Sequence, residues 1–301
     1  MLKMAVLAKQ VPDTKHVAVD VMKPDGTLNR AALPAIFNPE DLHALELALR
    51  VKDRVGGHVT VITMGPPGAA SILRDSLARG ADAGVLLTDR RLAGSDTLAT
   101  SLALAAAVQK ISPLDLVLSG RQAIDGDTAQ TGPQTAEKLG LPQVAYVEAV
   151  REVSSTRITL FRRLGRHAEV VESPLPVFIT VTTDAGEARP PRAKRLLKYR
   201  RARVLSELRG ELSKGGLNGE ELERRLAAES AKLQEAGLLL PTWGVDELGL
   251  DPNRVGLAGS PTKVKRCENV VLKTGEYKQI EPNEDGARKL IAELVHDHIL
   301  G

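Results

Sequence analysis

The stretch with the greatest capacity for chemistry is S-G-R-Q-A-I-D-G-D-T-A-Q-T-G-P at residues 119–133. It follows an apolar run, contains Gly120, Gly126 and Gly132, and leads directly into a segment of helical spacing. Glycine lets the backbone approach a ligand closely, and the first N–H groups of a helix are free to bind phosphate oxygens. The pattern predicts a phosphate cradle; the simpler interpretation is a solvated turn that caps a helix.

A second loop, G-S-D-T-L-A-T-S at 94–101, offers another helix start. Ser95 or Asp96 can cap this helix, and the hydroxyls of Thr97 and Thr100 lie on its first turns, where they could contact a ligand. On its own, such a pattern is more often a helix cap than a binding site. Three further polar segments follow strands or open helices: A-K-Q-V-P-D-T at 8–14, F-N-P-E-D at 37–41 and T-M-G-P-P at 63–67. Because ligands of open α/β sheets bind outside the carboxyl ends of the strands, we expect the site among these five segments.

Other chemistries lack the residues they need. Asp125 and Asp127 are spaced like calcium ligands, but Ala136 stands where a calcium loop requires its last glutamate. No G-x-G-x-x-G follows the first strand and no G-x-x-x-x-G-K-[ST] occurs, which argues against the usual dinucleotide fingerprint and against a P-loop ATPase. The six histidines show no ligand or nucleophile spacing. We therefore expect no metal and no catalytic side chain, and a protein whose bound cofactor carries the chemistry.

Composition narrows the class of protein further. The 301 residues are 43% hydrophobic with a net charge of +3, and no apolar run approaches the roughly 20 residues of a membrane helix. Aromatic residues make up only 2%, too few for the stacking surfaces of single-strand nucleic-acid binders. Cys267 is the only cysteine, so no internal disulfide forms, and the first residues lack the pattern of an export signal. We expect a cytoplasmic protein.

The elements that must position these loops alternate short aliphatic runs with segments of helical period. This alternation predicts a parallel sheet covered by helices on both faces, a doubly wound α/β fold. Asn38 and Pro39 fit the N-cap and first residue of the first helix. Residues 156–183 predict an antiparallel hairpin followed by one more buried strand. The predicted strands are 4–9, 58–64, 83–89 and 114–120, and the predicted helices are 39–56, 67–80, 95–111 and 129–139.

The rest of the chain is less regular. Residues 189–203 contain eight basic residues and no acid, so we expect them on a surface. Residues 205–237 show helical spacing broken by Gly215 and Gly216, which predicts an inserted helical hairpin, and a last amphipathic helix is predicted near 284–298. We divide the chain into an α/β domain at 1–185, a basic segment with the hairpin at 186–240 that is a candidate for partner docking, and a C-terminal arm at 241–301 that we expect to pack on the surface of a partner subunit.

Seven segments resemble a known family. They are V-L-A-K-Q-V-P-D-T, F-N-P-E-D, V-T-V-I-T-M-G-P-P, L-A-R-G-A-D-A-G-V-L-L-T-D-R, A-G-S-D-T-L-A-T-S, G-R-Q-A-I-D-G-D-T-A-Q-T-G-P and G-L-A-G-S-P-T-K-V-K. Outside residues 200–238 the chain resembles the beta subunit of electron-transfer flavoproteins. The resemblance implies an adenine-nucleotide-binding, Rossmann-like sheet and a heterodimer with an alpha subunit that holds a redox-active FAD. It also implies electron exchange with an acyl-CoA dehydrogenase or a similar partner.

The resemblance also implies which residues touch the cofactor. Family members hold an adenine nucleotide through the end of the first strand, the start of the first helix and the long loop at 119–133. The positions that we carry over are Leu7, Ala8, Asn38, Pro39, Glu40, Asp41, Met64, Arg121, Gln122, Ala123, Ile124, Asp125, Gly126, Asp127, Thr128, Ala129, Gln130, Thr131 and Gly132. From the loops described above we add Gly65, Asp96, Thr97 and Thr100 as candidate cofactor-binding residues.

The identity of the nucleotide depends on the branch of the family. Beta subunits bind AMP or, in some branches, a second FAD. The AMP-binding branch has a bulkier loop that contains asparagine, whereas this chain has Gly126, Thr128 and Ala129. With A-G-S-D-T-L-A-T-S, the chain resembles the branch whose beta-subunit FAD takes electrons from NADH and splits them between two acceptors. We therefore expect FAD with NADH as donor; AMP is the alternative.

Two features depart from the family, and two other functions stay open. The family often has N-x-P-R-Y before its partner-recognition segment, but this chain has G-E-A-R-P at 186–190, so we expect a different docking partner. The helical insertion is either a solvated hairpin or an extension of a docking surface for an acidic partner. A sensor of ATP or AMP without redox chemistry is a second possible function. An adenylating enzyme is the last choice, because K-Q-V-P-D-T replaces its glycine-rich and serine-rich loop.

Overall fold

The computed structural model describes residues 1–13, 34–262, 279–297 and 300. The chain divides into two units, one made of Met1–Val21 with Asn29–Val264 and the other of Met22–Leu28 with Lys265–Gly301. Thr14, Cys267 and His298, which enter the sequence predictions above, lie outside the described residues.

The described residues form eleven strands and eight helices. The strands are β1 (Leu2–Leu7), β2 (Gln10–Pro12), β3 (Ala35–Phe37), β4 (Gly57–Met64), β5 (Ala83–Leu87), β6 (Leu116–Gly120), β7 (Gln143–Val153), β8 (Arg157–Leu164), β9 (His167–Pro174), β10 (Val177–Val181) and β11 (Thr242–Trp243). The helices are α1 (Pro39–Val55), α2 (Ala70–Arg79), α3 (Thr97–Lys110), α4 (Thr131–Leu139), α5 (Ala193–Tyr199), α6 (Leu205–Lys214), α7 (Gly219–Glu235) and α8 (Glu284–His296).

Nine of these strands form one sheet in the order β11-β5-β4-β1-β6-β10-β7-β8-β9. Neighbours from β11 to β7 are parallel, and the pairs β7–β8 and β8–β9 are antiparallel, which confirms the doubly wound, mostly parallel α/β fold. Strand order reverses at β1, because β4 and β5 extend the sheet to one side and β6 and β10 to the other. In such sheets ligands bind outside the carboxyl ends of the strands at this switch point, here between β1 and β6.

Each face of the sheet packs on its own pair of helices. Successive residues of a strand point to opposite faces, so Met4 belongs to one core cluster and Ala5 to the other. Leu45 of α1 lies in the first cluster, together with residues of α2. Leu104 of α3 and Ala136 of α4 lie in the second. The helices therefore begin on both sides of the carboxyl edge, where the predicted loops emerge.

Most predicted elements agree with the structure to within a few residues at each end. The predicted hairpin is β8 and β9, the buried strand after it is β10, and the inserted helical hairpin is α6 and α7. The sequence did not predict β7, β11, α5 or the two-stranded ladder of β2 and β3. Three of these strands have three residues or fewer, and β7 mixes exposed and buried positions around irregular register, so none shows a clear period.

Helix α8 belongs to the second unit. Its N-cap Asn283 accepts a hydrogen bond from the N–H of Gly286 at 2.8 Å, and Arg288 pairs with Glu284 one turn away at 2.8 Å. Its apolar residue Ile291 is 55% exposed. Neither this helix nor another in the described residues is long and apolar enough to cross a membrane.

Candidate functional site

The candidate site begins where β1 and β6 end side by side. Leu7 pairs with Ser119 in the parallel register, so the loops after the two strands start next to each other. Ala8 donates its N–H to the carbonyl of Ile62 at 2.9 Å, which keeps the end of β1 attached to β4. The predicted positions Leu7 and Ala8 therefore lie at the switch point of the sheet.

Asp41 joins the two strand ends. One carboxylate oxygen accepts the N–H of Lys9 and the other accepts the N–H of Gly120, both at 2.8 Å. The side chain is buried, and this burial raises the pKa of Asp41 to about 7, against the lowering effect of the two backbone hydrogen bonds. A Cβ on Gly120 would lie 2.6 Å from Asp41 Oδ1, so only glycine lets α1 begin this close to β6.

Asn38 and Glu40 hold the loop that follows β6. The fully buried Asn38 donates its side-chain amide to the carbonyl of Gln122 at 2.9 Å and accepts the N–H of Ile124 at 3.1 Å. Glu40 accepts a hydrogen bond from the Arg121 guanidinium at 2.9 Å and from the N–H of Gln122 at 2.8 Å. These side chains thus shape the loop, and their direct contact with a ligand stays a prediction.

The tip of this loop has an unusual backbone. Asp127 and Ala129 have φ angles of 48° and 54°, in the left-handed region that residues other than glycine seldom adopt. The N–H of Asp127 donates to the carbonyl of Ala123 at 2.9 Å and closes a tight turn. A Cβ on Gly126 would meet nothing within 4 Å, so the turn faces open space. Backbone strain of this kind concentrates at functional sites.

The two acids of the loop both have polar partners. Lys9 Nζ lies 2.7 Å from Asp125 Oδ1, and Gln122 donates its side-chain amide to Asp127 at 3.1 Å. Because Lys9 follows β1 and Asp125 follows β6, this ion pair spans the switch point. Lys9 and Arg121 offset the negative charge of the acids, which reduces the repulsion that an anionic ligand would meet.

The loop at 94–101 meets the loop at 119–133 where α3 and α4 begin. Thr97 donates its hydroxyl to the side chain of Gln130 at 3.4 Å, and one turn further along α3 Ser101 donates to Gln134, also at 3.4 Å. The predicted loops therefore form one continuous rim. Thr100 lies on the first turn of α3, where its N–H donates to the carbonyl of Asp96 at 2.9 Å.

The starts of α3 and α4 differ in what they can bind. Asp96 caps α3 by accepting the N–H of Ala99 at 3.0 Å. Although burial raises the pKa of Asp96, hydrogen bonds from the backbone N–H groups of Ala99 and Thr262 lower it overall, so a carboxylate already occupies this helix start. Gln130, at the start of α4, caps none of the first N–H groups of that helix with its side chain. The start of α4, at Thr131, is therefore the better place for a phosphate.

The remaining predicted positions lie on the same edge. Met64 pairs with Leu87 in the parallel register, and Gly65 donates its N–H to the carbonyl of Leu87 at 3.0 Å. A Cβ on Gly132 would lie 2.9 Å from the hydroxyl of Ser119, so this glycine lets α4 begin against β6. The structure brings the predicted residues to the carboxyl edge of β1, β4 and β6 and to the starts of α1, α3 and α4.

The sequence-based list missed Ser260, which supports the loop at 94–101. Ser260 accepts the N–H of Asp96 at 2.8 Å and donates its hydroxyl to the carbonyl of Gly256 at 2.6 Å. The N–H of Gly256 in turn donates to the hydroxyl of Ser95 at 3.0 Å. The run G-L-A-G-S-P-T was the available signal, but no local pattern shows that a segment 161 residues away along the chain returns to this loop.

Two clefts are lined by none of the predicted site residues. A cleft of about 310 Å³ between α1 and β7 is lined by charged residues that include Arg50, Arg54 and Glu148. A wider cleft of about 680 Å³ lies between α6 and the loops after β5 and β11. Among the described residues no group of three or more His, Cys, Asp or Glu side chains is arranged to hold a metal ion.

Comparison with known proteins gives concordant matches. The family described as "Electron transfer flavoprotein domain" matches residues 25–202. Electron transfer flavoprotein subunit beta of Clostridium acetobutylicum is 39% identical over 300 residues, which cover 99% of this chain and 100% of that protein. Caffeyl-CoA reductase-Etf complex subunit CarD of Acetobacterium woodii is 37% identical over 99% of this chain and 100% of its own length. Protein FixA of Bradyrhizobium diazoefficiens is 42% identical over 95% and 88% of the two chains.

Proposed function

The chain belongs to the electron transfer flavoprotein family as a beta subunit, and on this premise we propose that its rim binds FAD. The protein then works as one half of a heterodimer with an alpha subunit and passes electrons between redox partners. The observation that carries the proposal is the meeting of two loops at the switch point, where Asp41 holds both strand ends and Thr97 contacts Gln130. Such a rim is the general place for a nucleotide in this class of sheet.

The residues present suit a nucleotide with phosphate groups. The start of α4 offers N–H groups that Gln130 does not cap, and the turn at Gly126 faces open space. Lys9 and Arg121 bring positive charge to the same loop. A bound flavin supplies the electron-transfer chemistry, whereas the residues of the chain bind it, orient it and set the charge around it.

FAD suits this loop better than AMP. Gly126, Thr128 and Ala129 are small residues at the tip of the loop, and a Cβ on Gly126 would meet nothing within 4 Å, so no bulky side chain fills the space beside the tip. A relative of similar length carries the name of a caffeyl-CoA reductase-Etf complex subunit. The segment A-G-S-D-T-L-A-T-S also resembles the branch of the family that takes electrons from NADH. We propose NADH as the electron donor of the assembled protein, with the electrons divided between two acceptors by bifurcation.

The partner is an acyl-CoA dehydrogenase or a similar redox protein, and the protein acts in the cytoplasm. Helix α5 supports a docking role for residues 186–240, because its Leu196 and Leu197 are 46% and 57% exposed among basic residues. Leu197→Asp should slow electron transfer to the partner without changing flavin content. Val170→Asp, at a 65% exposed position on β9, is the matched control. Equal rates in both variants would exclude α5 as the docking surface.

The cofactor is tested by co-expression with an alpha subunit from the same source, acid release, and quantitation of FAD and AMP per heterodimer. Two FAD and no AMP support the proposal, and bleaching of the flavin absorbance by NADH supports the proposed donor. One FAD with one AMP would overturn the beta-site FAD and leave a simple electron shuttle. A heterodimer without flavin would overturn electron transfer as the function.

A further inference from the structure

Tyr146 of β7 has a backbone that a bulky residue seldom adopts. Its φ angle is 61°, and in the described residues the other positive φ angles outside glycine are those of Asp127 and Ala129. Both of these belong to the loop after β6, and the Tyr146 ring lies near Arg121 at the start of the same loop. Tyr146 lies where the pairing of β7 with β10 shifts register between Ile179 and Val181. An irregularity of this kind re-aims a side chain.

The re-aimed ring meets the first side chain of the loop. The Arg121 guanidinium carbon lies 5.8 Å from the centroid of the Tyr146 ring, within the range of a cation–π contact. The same guanidinium donates to Glu40 at 2.9 Å. Its Nε is buried and has no hydrogen-bond partner in the described residues, so the ring and Glu40 are the contacts that orient it. Tyr146 remains 37% exposed and is not a core residue.

Arg121 connects this ring to the shape of the loop. Its N–H donates to the carbonyl of Val181 at 2.9 Å, so its backbone is anchored to β10. Glu40, which receives the guanidinium, also accepts the N–H of Gln122 at 2.8 Å. If the Arg121 side chain turns away, Glu40 loses one of the two groups that hold it in place. The hydrogen bond from the N–H of Gln122 to Glu40, at the base of the loop, is then weakened.

We propose that Tyr146 is a positioning residue for the nucleotide site, and that it acts through Arg121. Its ring holds the guanidinium against Glu40, which keeps the base of the loop in shape and a positive charge beside the rim that receives the phosphate groups of a nucleotide. This inference rests on the proposed nucleotide site. It explains why a strained tyrosine stands at a half-exposed position, since strain persists where the surrounding structure enforces it.

The test compares Tyr146→Gly, Tyr146→Phe and the parent chain in the heterodimer. Glycine adopts a φ of 61° without strain, so Tyr146→Gly deletes the ring while favouring the same backbone. We expect Tyr146→Gly to keep or raise the thermal midpoint and to weaken binding of added FAD, and of AMP, about 5-fold. Tyr146→Phe, which keeps the ring, should bind within about 2-fold of the parent, as the loss of the hydroxyl leaves the cation–π contact intact.

A double-mutant cycle isolates the contact with Arg121. In an Arg121→Ala background, Tyr146→Gly should cause no further loss of nucleotide affinity, because its action runs through the missing guanidinium. Tyr199 is the control, since its ring lies 5.2 Å from the Arg195 guanidinium outside the site loops. Tyr199→Leu should leave nucleotide affinity unchanged.

Three results would overturn the inference: parental affinity in Tyr146→Gly, an equal loss in Tyr146→Phe, or additive losses in the cycle. If the parent heterodimer binds neither FAD nor AMP, the proposed function fails and this inference fails with it. If the parent binds a nucleotide and Tyr146→Gly binds it equally well, only the role of Tyr146 is excluded.

Discussion

Asp41 and Gly120 approach so closely that their contact leaves no space for a side chain. Asp41 Oδ1 accepts the N–H of Gly120 at 2.8 Å, and a Cβ on Gly120 would lie 2.6 Å from the same oxygen. The other carboxylate oxygen accepts the N–H of Lys9 at 2.8 Å. One buried side chain at the start of α1 thus holds the ends of β1 and β6 on both sides of the switch point.

Gly120→Ala should lower the free energy of unfolding by about 1–3 kcal/mol, because the new methyl group forces the start of α1 away from β6. Urea unfolding of the purified chain measures this loss. Gly126→Ala is the control in the same loop, where an added Cβ meets nothing within 4 Å, and its effect should stay within about 0.5 kcal/mol. Similar losses in the two variants would contradict the close contact between Gly120 and Asp41.

Asp41 should make stability fall as the pH rises from about 4 to about 7. Burial raises the pKa of Asp41 from 3.8 to about 7, so the folded chain binds this proton more tightly than the unfolded chain. The resulting stabilisation is fully present below the unfolded pKa and is lost as the pH rises through the folded one. Asp41→Asn cannot titrate, so its free energy of unfolding should lack this component of the slope. Parallel pH profiles of the two chains between pH 4 and pH 8 would rule out a raised pKa.

Several parts of the fold could be predicted because they are local. The strands β1, β4 and β6 are nearly continuous aliphatic runs, as parallel strands buried on both faces must be. The loops of the site were predicted because glycine and polar residues directly follow those runs. Strand β7 could not be predicted in this way, since many of its positions are partly exposed and its register is irregular.

The roles of individual site residues were not predictable, because they depend on distant contacts. The sequence placed Asn38 at a helix start, but its side chain reaches Gln122 and Ile124, more than 80 positions along the chain. Likewise, Tyr146 contacts Arg121 only because β7 lies next to β10, which lies next to β6. Resemblance to a family predicted which residues contact a nucleotide, but it did not indicate which of them shape the loop.

Asn38→Asp should lower the free energy of unfolding by about 3 kcal/mol and reduce the FAD content of the heterodimer. The buried amide donates to the carbonyl of Gln122 at 2.9 Å, and a carboxylate in its place would set an acceptor against an acceptor and bury a charge. Asn218→Asp is the matched control, because Asn218 is exposed at the start of α7, where negative charge is favourable. A loss of similar size at Asn218 would mean that the effect of the Asn38 substitution is not specific to the loop.

Arg189 provides a last prediction, because it belongs to the basic segment that the sequence assigned to a surface. Only part of that segment is exposed. The Arg189 guanidinium donates to Glu46 at 2.8 Å and lies 2.8 Å from Asp53, whereas Arg192 is exposed. Burial raises the pKa of Glu46, but hydrogen bonds from Arg189 and Arg50 lower it overall. A lowered pKa contributes stability above the unfolded pKa, and this stability is lost as the pH falls through the folded one.

Arg189→Ala should therefore cost about 1–3 kcal/mol of unfolding free energy at pH 7, since it leaves the buried Glu46 carboxylate without its main partner. The deficit should shrink as the pH is lowered from 7 to 3, because protonation of Glu46 removes the charge that pairs with Arg189. Arg192→Ala removes the same charge from an exposed position and should change stability by less than about 0.5 kcal/mol at either pH. Urea unfolding of the parent chain and of both variants at the two pH values measures these differences in stability. A deficit in Arg189→Ala that is equal at pH 3 and pH 7 would show that the arginine stabilises the fold by packing and not through its pairing with Glu46.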